Sequence, residues 1–514
     1  MKLKSLILSL SLTVVAGGLY ALCYPSIFGD GWFPLLFLAL PFFLWRLEVA
    51  PNVKSTLLHI LAYNLGLNLV GYYWIPHTLR EFGQLPWIIS VLLGLLFSLI
   101  LQPHWWLYAV WKRWRPDFQW YSQKGILITA FVMTIMERYF PQQFPSYAGS
   151  PWLNLAPYLG LAPILGVVAF SFMTYWVSLE TFTQLALKKF RPQVWIALVA
   201  FVALNAISPL KDTLSDKTLP VRVVQANIGN FLKVSSEKGD ENSYQSINKK
   251  YLDLSTVQNG FNPELIVWPE TAYPNAFVGE RTRLDFIFQD IMNITKAEML
   301  VGGYDQDPTK SPFDFMETVF NSSVLMSDNK FKVAYHKNIL IPFGETLPFG
   351  PFNRQIISIV PAVSLFARGE GTPLMETRTG YRFVTPICYE ILESNYMRGL
   401  LNQWKETRFI VNHTNDSWYG DTAEPYQHLF LSKWRALEFQ LPIVRSTNTG
   451  ITSVIFPDGS ESKRLEIGTE GTLDVNVPMG TGLSTPYQEY GVFPVVGIFL
   501  VLMLVTWFLE RRKD

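Results

Sequence analysis

The chain has 514 residues, of which 49% are hydrophobic, 15% aromatic and only 16% charged, and its formal net charge is +1. Soluble domains carry about 25% charged residues, so the composition excludes an ordinary soluble protein and points to a membrane. Most of the charge lies between Lys211 and Lys463, and both flanks contain long stretches with almost none.

Taken in chain order, eight stretches are long and apolar enough to cross a hydrocarbon core of about 30 Å. They are 5–24, 28–45, 56–75, 86–110, 124–140, 161–182, 193–210 and 491–509, the second interrupted by Pro41 and the fifth by Glu137 and Arg138. An even number puts both termini on one side. Lys2 and Lys4, then Arg46 and Lys54, then Lys112, Arg113, Arg115 and Lys124 fall in alternate loops, as do Lys188, Lys189 and Arg191 and finally Arg511, Arg512 and Lys513. The intervening short loops carry only Arg80 and Arg138. The positive-inside rule then places both termini in the cytoplasm and the long segment between the seventh and eighth spans outside, in the periplasm of a diderm cell. Lys2, Lys4, the run from Leu6 to Val15 and Cys23 imitate a lipoprotein signal, but Leu22 stands where a small residue is required, which favours an uncleaved first helix. Cys23 reads as a packing residue, and with Cys388 far away in the outer segment no disulfide framework is expected.

The outer segment alternates strand and helix patterns. Strands are expected at Val221–Ile228, Leu265–Trp268, Met299–Gly303, Asn321–Leu325, Lys332–Lys337, Arg382–Ile387, Phe409–Asn412, Ile443–Ser446 and Ile451–Phe456. Helices are expected at Ser243–Val257, Arg281–Lys296, Leu392–Trp404 and Ala423–Gln440, which together give a layered α/β domain. Stretches 229–242 and 347–374 read as long loops, the second carrying Phe352, Ile356, Ile357, Val360, Leu365 and Phe366, as a lid dipping into lipid or a loop folded on its own domain would. The division is 1–210 for seven helices, 211–485 for the outer domain, and 486–514 for the last helix and tail.

Three short segments carry the chemistry. Cys388 follows the apolar run Tyr381–Ile387 and precedes a helical pattern, so it sits on a strand-to-helix turn where backbone N–H groups lower a thiol pKa and stabilise an oxyanion. Glu270 closes Leu265-Ile-Val-Trp-Pro, and Lys337 closes Lys332-Val-Ala-Tyr-His. Any one of them alone is more often a buried cysteine or a surface ion pair. His336, His413 and His428 show no zinc spacing and read as structural, so no metal and no cofactor are expected.

In that order, Glu, Lys and Cys resemble the catalytic residues of the nitrilase superfamily. With the eight spans, the whole chain resembles the apolipoprotein N-acyltransferase family. Further matches are Phe144-Pro-Ser-Tyr, Val224-Gln-Ala-Asn-Ile228, Leu340-Ile-Pro-Phe-Gly-Glu345, Asn412-His-Thr-Asn-Asp-Ser-Trp-Tyr-Gly420 and Arg445-Ser-Thr-Asn-Thr-Gly450. Ala226 stands where the family usually has proline, and Val234 where relatives carry a lid tryptophan. The resemblance implies a multi-pass helical membrane domain plus an αββα sandwich. It implies Cys388 as nucleophile, Glu270 as general base and acid, and Lys337 with the Tyr389 N–H as oxyanion stabilisers. Glu345 would orient Lys337 or assist proton transfer, Tyr389 and Glu390 would fix the turn, and Trp418 would line an acyl pocket. The implied partners are a phospholipid acyl donor, phosphatidylethanolamine foremost, diacylglyceryl-modified apolipoproteins and the membrane, with no nucleic acid. The alternatives are a membrane-anchored amidase or nitrilase, and a transporter or receptor carrying an inactive nitrilase domain.

Overall fold

The computed structural model describes residues 3–511, apart from positions 28, 82, 84, 116–117, 208–213, 278–283, 307–317, 343, 348, 354 and 356–364. The N-terminal part is helical: α1 (Leu3–Ala21), α2 (Leu36–Val49), α3 (Val53–Gly71), α4 (Ile75–Glu81), α5 (Trp87–Leu96), α6 (His104–Trp114), α7 (Gln123–Tyr139), α8 (Ala162–Leu187) and α9 (Pro192–Ile207). Each apolar stretch from the sequence falls on one of these helices, or on the last helix of the chain, except that the fourth is two helices. There α5 ends in a 3-10 turn at Phe97–Leu99 before α6 begins. Four segments, Lys4–Ala21, Trp87–Trp114, Ala162–Leu187 and Phe493–Arg511, are long and apolar enough to cross a membrane. Pro41 lies inside α2 without ending it. Glu137 and Arg138 do not break α7, and both find polar partners. Glu137 accepts from the Ala148 N–H at 2.6 Å and the Tyr175 hydroxyl at 2.9 Å, and Arg138 donates to the hydroxyls of Tyr147 and Tyr487.

Lipid gives helices no hydrophobic reason to associate, so close backbone packing has to hold them. Helices α1 and α3 achieve it through glycine: a Cβ on Gly66 would lie 1.8 Å from the Val14 carbonyl oxygen, and one on Gly17 would lie 2.0 Å from that of Tyr63. At the centre, α8 is almost wholly buried.

The α/β part contains β1 (Leu214–Gln225), α10 (Asn230–Glu237), α11 (Glu241–Ser255), β2 (Leu265–Val267), β3 (Ala276–Phe277), α12 (Phe286–Thr295), β4 (Glu298–Gln306), β5 (Val319–Ser327) and β6 (Lys330–His336). It continues with β7 (Met375–Glu376), β8 (Arg382–Val384), α13 (Ser394–Gln403), β9 (Phe409–Thr414), α14 (Glu424–Phe439), β10 (Ile443–Thr447), β11 (Ser453–Ile455) and β12 (Gly471–Gly480). The chain ends with α15 (Pro486–Tyr490) and α16 (Phe493–Arg511). Helix α16 turns Phe493, Leu500, Leu504 and Phe508 outward, all more than half exposed, as a lipid-facing surface requires.

Strands β12-β1-β2-β4-β5-β6 form one sheet, with β3 on β4, and β11-β10-β9-β8-β7 form the other. Two-residue periodicity assigns each face of the first sheet to a different core. Val221, Val223, Leu265, Val267 and Leu300 join the core that contains Phe383, Ile410 and Val444 of the second sheet. Val224, Ile266, Met299 and Val301 instead join Tyr251, Phe288 and Ile291 of α11 and α12. The two sheets therefore face each other with helices outside them, as the resemblance implied.

Three expectations are corrected. Residues 229–242 are not one loop: α10 and the start of α11 occupy them, with Leu232 packed on the α11–α12 core despite the polar composition. The helical pattern after Cys388 is a 3-10 turn, Cys388–Leu392, and the α-helix begins only at Ser394. Strand β8 stops at Val384 because Pro386 lacks a ladder donor, though Ile387 still bridges to His413. Of the proposed lid, Ile356, Ile357 and Val360 lie outside the described residues. Leu365 is buried, and Phe366 stacks on Tyr304 with ring centroids 5.7 Å apart.

The α/β part docks directly on the helical part. Arg138 donates to Asn395 Oδ1 at 2.6 Å, the Val167 N–H to Glu438 at 2.9 Å, and Gln427 Nε2 to the Gly71 carbonyl at 3.0 Å. Aromatic contacts between Phe170 and Trp434 and between Trp74 and Tyr419 fill the space between them.

Candidate active site

Glu270 is delivered by the end of β2, where Trp268 anchors the chain. The indole stacks on Tyr251, its N–H donates to the Ser255 hydroxyl at 2.9 Å, and the Trp268 carbonyl accepts from His413 Nδ1 at 2.7 Å. The next residues pass so close to β4 that only glycine fits opposite them: a Cβ on Gly302 would lie 2.1 Å from the Pro269 carbonyl oxygen. The Gly302 carbonyl then accepts from the N–H groups of Ala272 and Tyr273 and fixes the turn. Glu270 is 6% exposed, with Oε1 accepting from Asn321 Nδ2 at 2.7 Å and Oε2 from the Asn415 N–H at 2.8 Å.

Lys337 follows β6 directly. Its N–H donates to the Asn321 carbonyl and its carbonyl accepts from Gly369. The side chain is fully buried, with Nζ 3.2 Å from Glu270 Oε1 and 2.8 Å from Glu345 Oε1. Burial opposes the charge, but the two carboxylates outweigh it and hold the ammonium well above the usual lysine range. Lys337 is thus a fixed cation, and Glu345 is its nearer partner. Asn321 Nδ2 also reaches Glu345 Oε1 at 3.0 Å, so one amide and one ammonium tie both glutamates together.

Cys388 opens the 3-10 turn with φ of +52°, a left-handed conformation that a side chain adopts only under constraint. Glu390 supplies much of that constraint. Its Oε2 accepts from the Ile387 N–H at 2.8 Å and the Tyr335 hydroxyl at 2.5 Å, and its Oε1 from the N–H groups of Asn338 at 2.6 Å and Ile339 at 2.9 Å. The turn bearing Cys388 and the segment after Lys337 are therefore clamped by a single carboxyl group. Asn412 Nδ2 adds bonds to the carbonyls of Pro386 and Cys388. The Tyr389 hydroxyl lies 3.0 Å from the Gln142 carbonyl of the helical part and 2.8 Å from Glu393 Oε1 of its own domain, either of which can accept its hydrogen bond.

Burial, with Glu270 adding to it and Lys337 partly offsetting it, pushes the Cys388 thiol well above its ordinary range. This corrects the expectation of a depressed thiol: the turn offers N–H groups, but a buried site beside a carboxylate disfavours the thiolate more. Attack by Cys388 accordingly requires a base, and Glu270 is the acid residue that acts on it most strongly.

Cys388, Glu270, Glu345, Asn321 and Trp418 line one cavity of about 520 Å³, which Thr78 and Glu81 of α4 also line. Trp418 is half-buried on the 3-10 turn after β9. A larger hollow of about 680 Å³ beside His336 and Arg368 holds none of the three catalytic candidates.

The sequence reading missed the supporting amides of Asn321 and Asn415 and the brace made by His413. His413 joins Trp268 to Ser323, whose hydroxyl lies 3.0 Å from Nε2, and burial pushes it down to about 4. The reading also missed a cluster in which Asp416, Glu424 and His428 bring potential ligand atoms within 4.8 Å of one another. Arg445 already supplies positive charge there, 3.0 Å from Asp416 Oδ2. It holds Asp416 low against burial, while burial and Asp416 together hold Glu424 high.

Residues 221–487 match the family model for carbon-nitrogen hydrolase, and residues 16–179 match that for the apolipoprotein N-acyltransferase N-terminal domain. The chain is similar to the apolipoprotein N-acyltransferase of Bdellovibrio bacteriovorus, at 30% identity over 91% of this chain and 88% of that protein. It is similar at 30% identity to that of Haemophilus influenzae, over 94% and 92%, and at 28% to that of Ralstonia nicotianae, over 94% and 90%. The matches together cover the helical part and the α/β part, and the chain belongs to the apolipoprotein N-acyltransferase family of the nitrilase superfamily.

Proposed function

We propose that this membrane protein transfers an acyl chain from a glycerophospholipid to the N-terminal amine of a diacylglyceryl-modified apolipoprotein through a thioester on Cys388. The observation that carries this reading is the Lys337 ammonium held between Glu270 and Glu345 beside the cavity that Cys388 lines. In the first half, Glu270 takes the Cys388 proton while Sγ attacks the ester carbonyl. Lys337 Nζ and the Tyr389 N–H, which lies in the first turn after Cys388 and has no acceptor within it, stabilise the oxyanion. The ester C–O bond breaks, and the departing lysophospholipid alkoxide takes the proton back from Glu270. In the second half, the acceptor amine attacks the thioester and gives its proton to Glu270. The C–S bond breaks to leave an amide, and Cys388 recovers its proton. Splitting one acyl transfer into two steps lowers each barrier, and oxyanion stabilisation of this kind supplies about 3–4 kcal/mol.

Phosphatidylethanolamine is the proposed donor. The proposed topology has eight crossings within 1–210 and 486–514, both termini cytoplasmic and residues 211–485 periplasmic, supported by the distribution of lysine and arginine. Donor and acceptor are both lipid-borne, so a tethered catalytic domain meets them by diffusion in the plane of the membrane. The test is to supply labelled phospholipid with a diacylglyceryl-cysteine peptide and compare amide product with free fatty acid. Amide should dominate. Release of mostly free acid with the acceptor present would make the protein a membrane-anchored hydrolase.

A further inference from the structure

A buried lysine other than Lys337 lines the cavity, and the chemistry above does not use it. Lys233 lies on α10, is 6% exposed, and lines the same cavity as Cys388, Glu270 and Trp418. Its ammonium hydrogen-bonds the Thr271 hydroxyl and stands over the face of Tyr304, 5.9 Å from the ring centroid. Among the described residues no carboxylate forms an ion pair with it within 4.0 Å, and Glu237 and Glu270 act on it only at longer range. Buried lysines are rare unless paired, because an ammonium taken from water without a counter-ion is costly. Among the described residues the close partners of this ammonium are a neutral hydroxyl and an aromatic face, and burial lowers its pKa against the opposing pull of Glu237 and Glu270.

Thr271 shows that this arrangement is built. It is β-branched yet held at φ of +49°, and its hydroxyl also accepts from Asn415 Nδ2 at 3.3 Å, the residue whose N–H holds Glu270. Backbone strain of this kind persists only where the surroundings impose it. Of the four glutamates lining the cavity, Glu270 and Glu345 are matched to Lys337, Glu237 accepts from the Tyr304 hydroxyl at 3.1 Å, and Glu81 forms no ion pair with Lys233 among the described residues, so Lys233 is the cation left for an incoming anion.

We infer that Lys233, steadied by Thr271, binds the phosphodiester anion of the acyl donor while Cys388 attacks the ester of the same molecule. The inference rests on the phospholipid-donor reading and adds to it the group that selects the donor. A cavity of about 520 Å³ admits part of a lipid rather than the whole molecule, so the headgroup, the glycerol and the reacting ester occupy it while the chains extend toward lipid. Lys233 makes a charge-assisted contact to the phosphate, and neutral acyl esters gain nothing from it.

The test compares kcat/KM for acyl-enzyme formation from phosphatidylethanolamine with that from p-nitrophenyl palmitate, both in the same neutral detergent micelles. Lys233→Met should lower the ratio of the two at least tenfold, chiefly through the phospholipid KM, and Lys233→Arg should restore it to within a few fold of wild type. An unchanged ratio in Lys233→Met overturns the inference, whether the two rates fall together because Lys233 serves Glu270 or the fold, or neither falls because the site takes free inorganic phosphate. If wild-type protein is acylated by the aryl ester but never by phospholipid, the donor reading itself has failed, a different outcome from loss of selectivity in the variant.

Discussion

Replacing Lys337 with methionine separates its structural role from its chemical one. The substitution keeps most of the volume and removes the charge, leaving Glu270 and Glu345 buried together with only Asn321 between them. Breaking a buried ion pair by removing one partner costs about 3–5 kcal/mol, and losing an oxyanion donor slows chemistry by about 10²–10³. The two losses should part in the double variant Lys337→Met/Glu345→Gln, because the second change removes one of the stranded negative charges. Apparent melting in detergent should recover by more than half, while single-turnover thioester formation stays down by at least 10². Glu345→Gln alone removes one charge-assisted bond of 2.8 Å, worth about 1.5–3 kcal/mol, and should slow thioester formation less than Lys337→Met. If the double variant regains both stability and the rate of Glu345→Gln, Lys337 is only a structural counter-ion, and the assignment of the oxyanion site is wrong.

His413 gives a pH test. Burial pushes it from 6.5 down to about 4, so the unfolded chain binds its proton first, and the stability it provides is whole above pH 6.5 and lost as pH falls toward 4. The loss is about 3 kcal/mol. His413→Asn, which keeps a donor for the Trp268 carbonyl, should melt with a shallower pH dependence between 7 and 5 than wild type, and parallel curves would count against the neutral brace. Phe366→Ser removes the ring stacked on Tyr304 at the cavity and should raise phospholipid hydrolysis relative to transfer while Cys388 still acylates. An unchanged partition would remove the 347–374 segment from any screening role. For topology, Lys330→Cys and Asp421→Cys, both at exposed positions, should react with a membrane-impermeant thiol reagent in intact spheroplasts. Arg113→Cys should react only after lysis, and the reverse pattern would invert the proposed orientation.

The catalytic candidates were legible because each follows a short strand pattern, and such runs keep their type in almost any packing. Strands ending near Glu270, Lys337 and Cys388 all formed, as did helices close to 243–257 and 423–440. Elements that depend on a distant partner were not legible. Strand β12 mixes Asp474, Asn476 and Pro478 with apolar residues and is defined only by pairing with β1, more than two hundred positions earlier in the chain. Helix α10 looks polar until its Leu232 finds the α11–α12 core. Asn321 read as an ordinary strand residue, because nothing local reveals that its amide faces Glu270 and Glu345. An Asn-Ser-Ser run inside an otherwise apolar strand was the signal available. The direction of the Cys388 shift was misjudged for the same reason: the turn is local, whereas burial and the carboxylate that raise the thiol come from elsewhere in the chain.

The most direct test of the account is the intact mass of the protein after incubation with phosphatidylethanolamine and no acceptor, followed by peptide mapping. One acyl chain should appear on Cys388, removable by neutral hydroxylamine and absent from Cys388→Ser. An acyl group on Cys23, or full turnover by Cys388→Ser, would contradict the thioester mechanism.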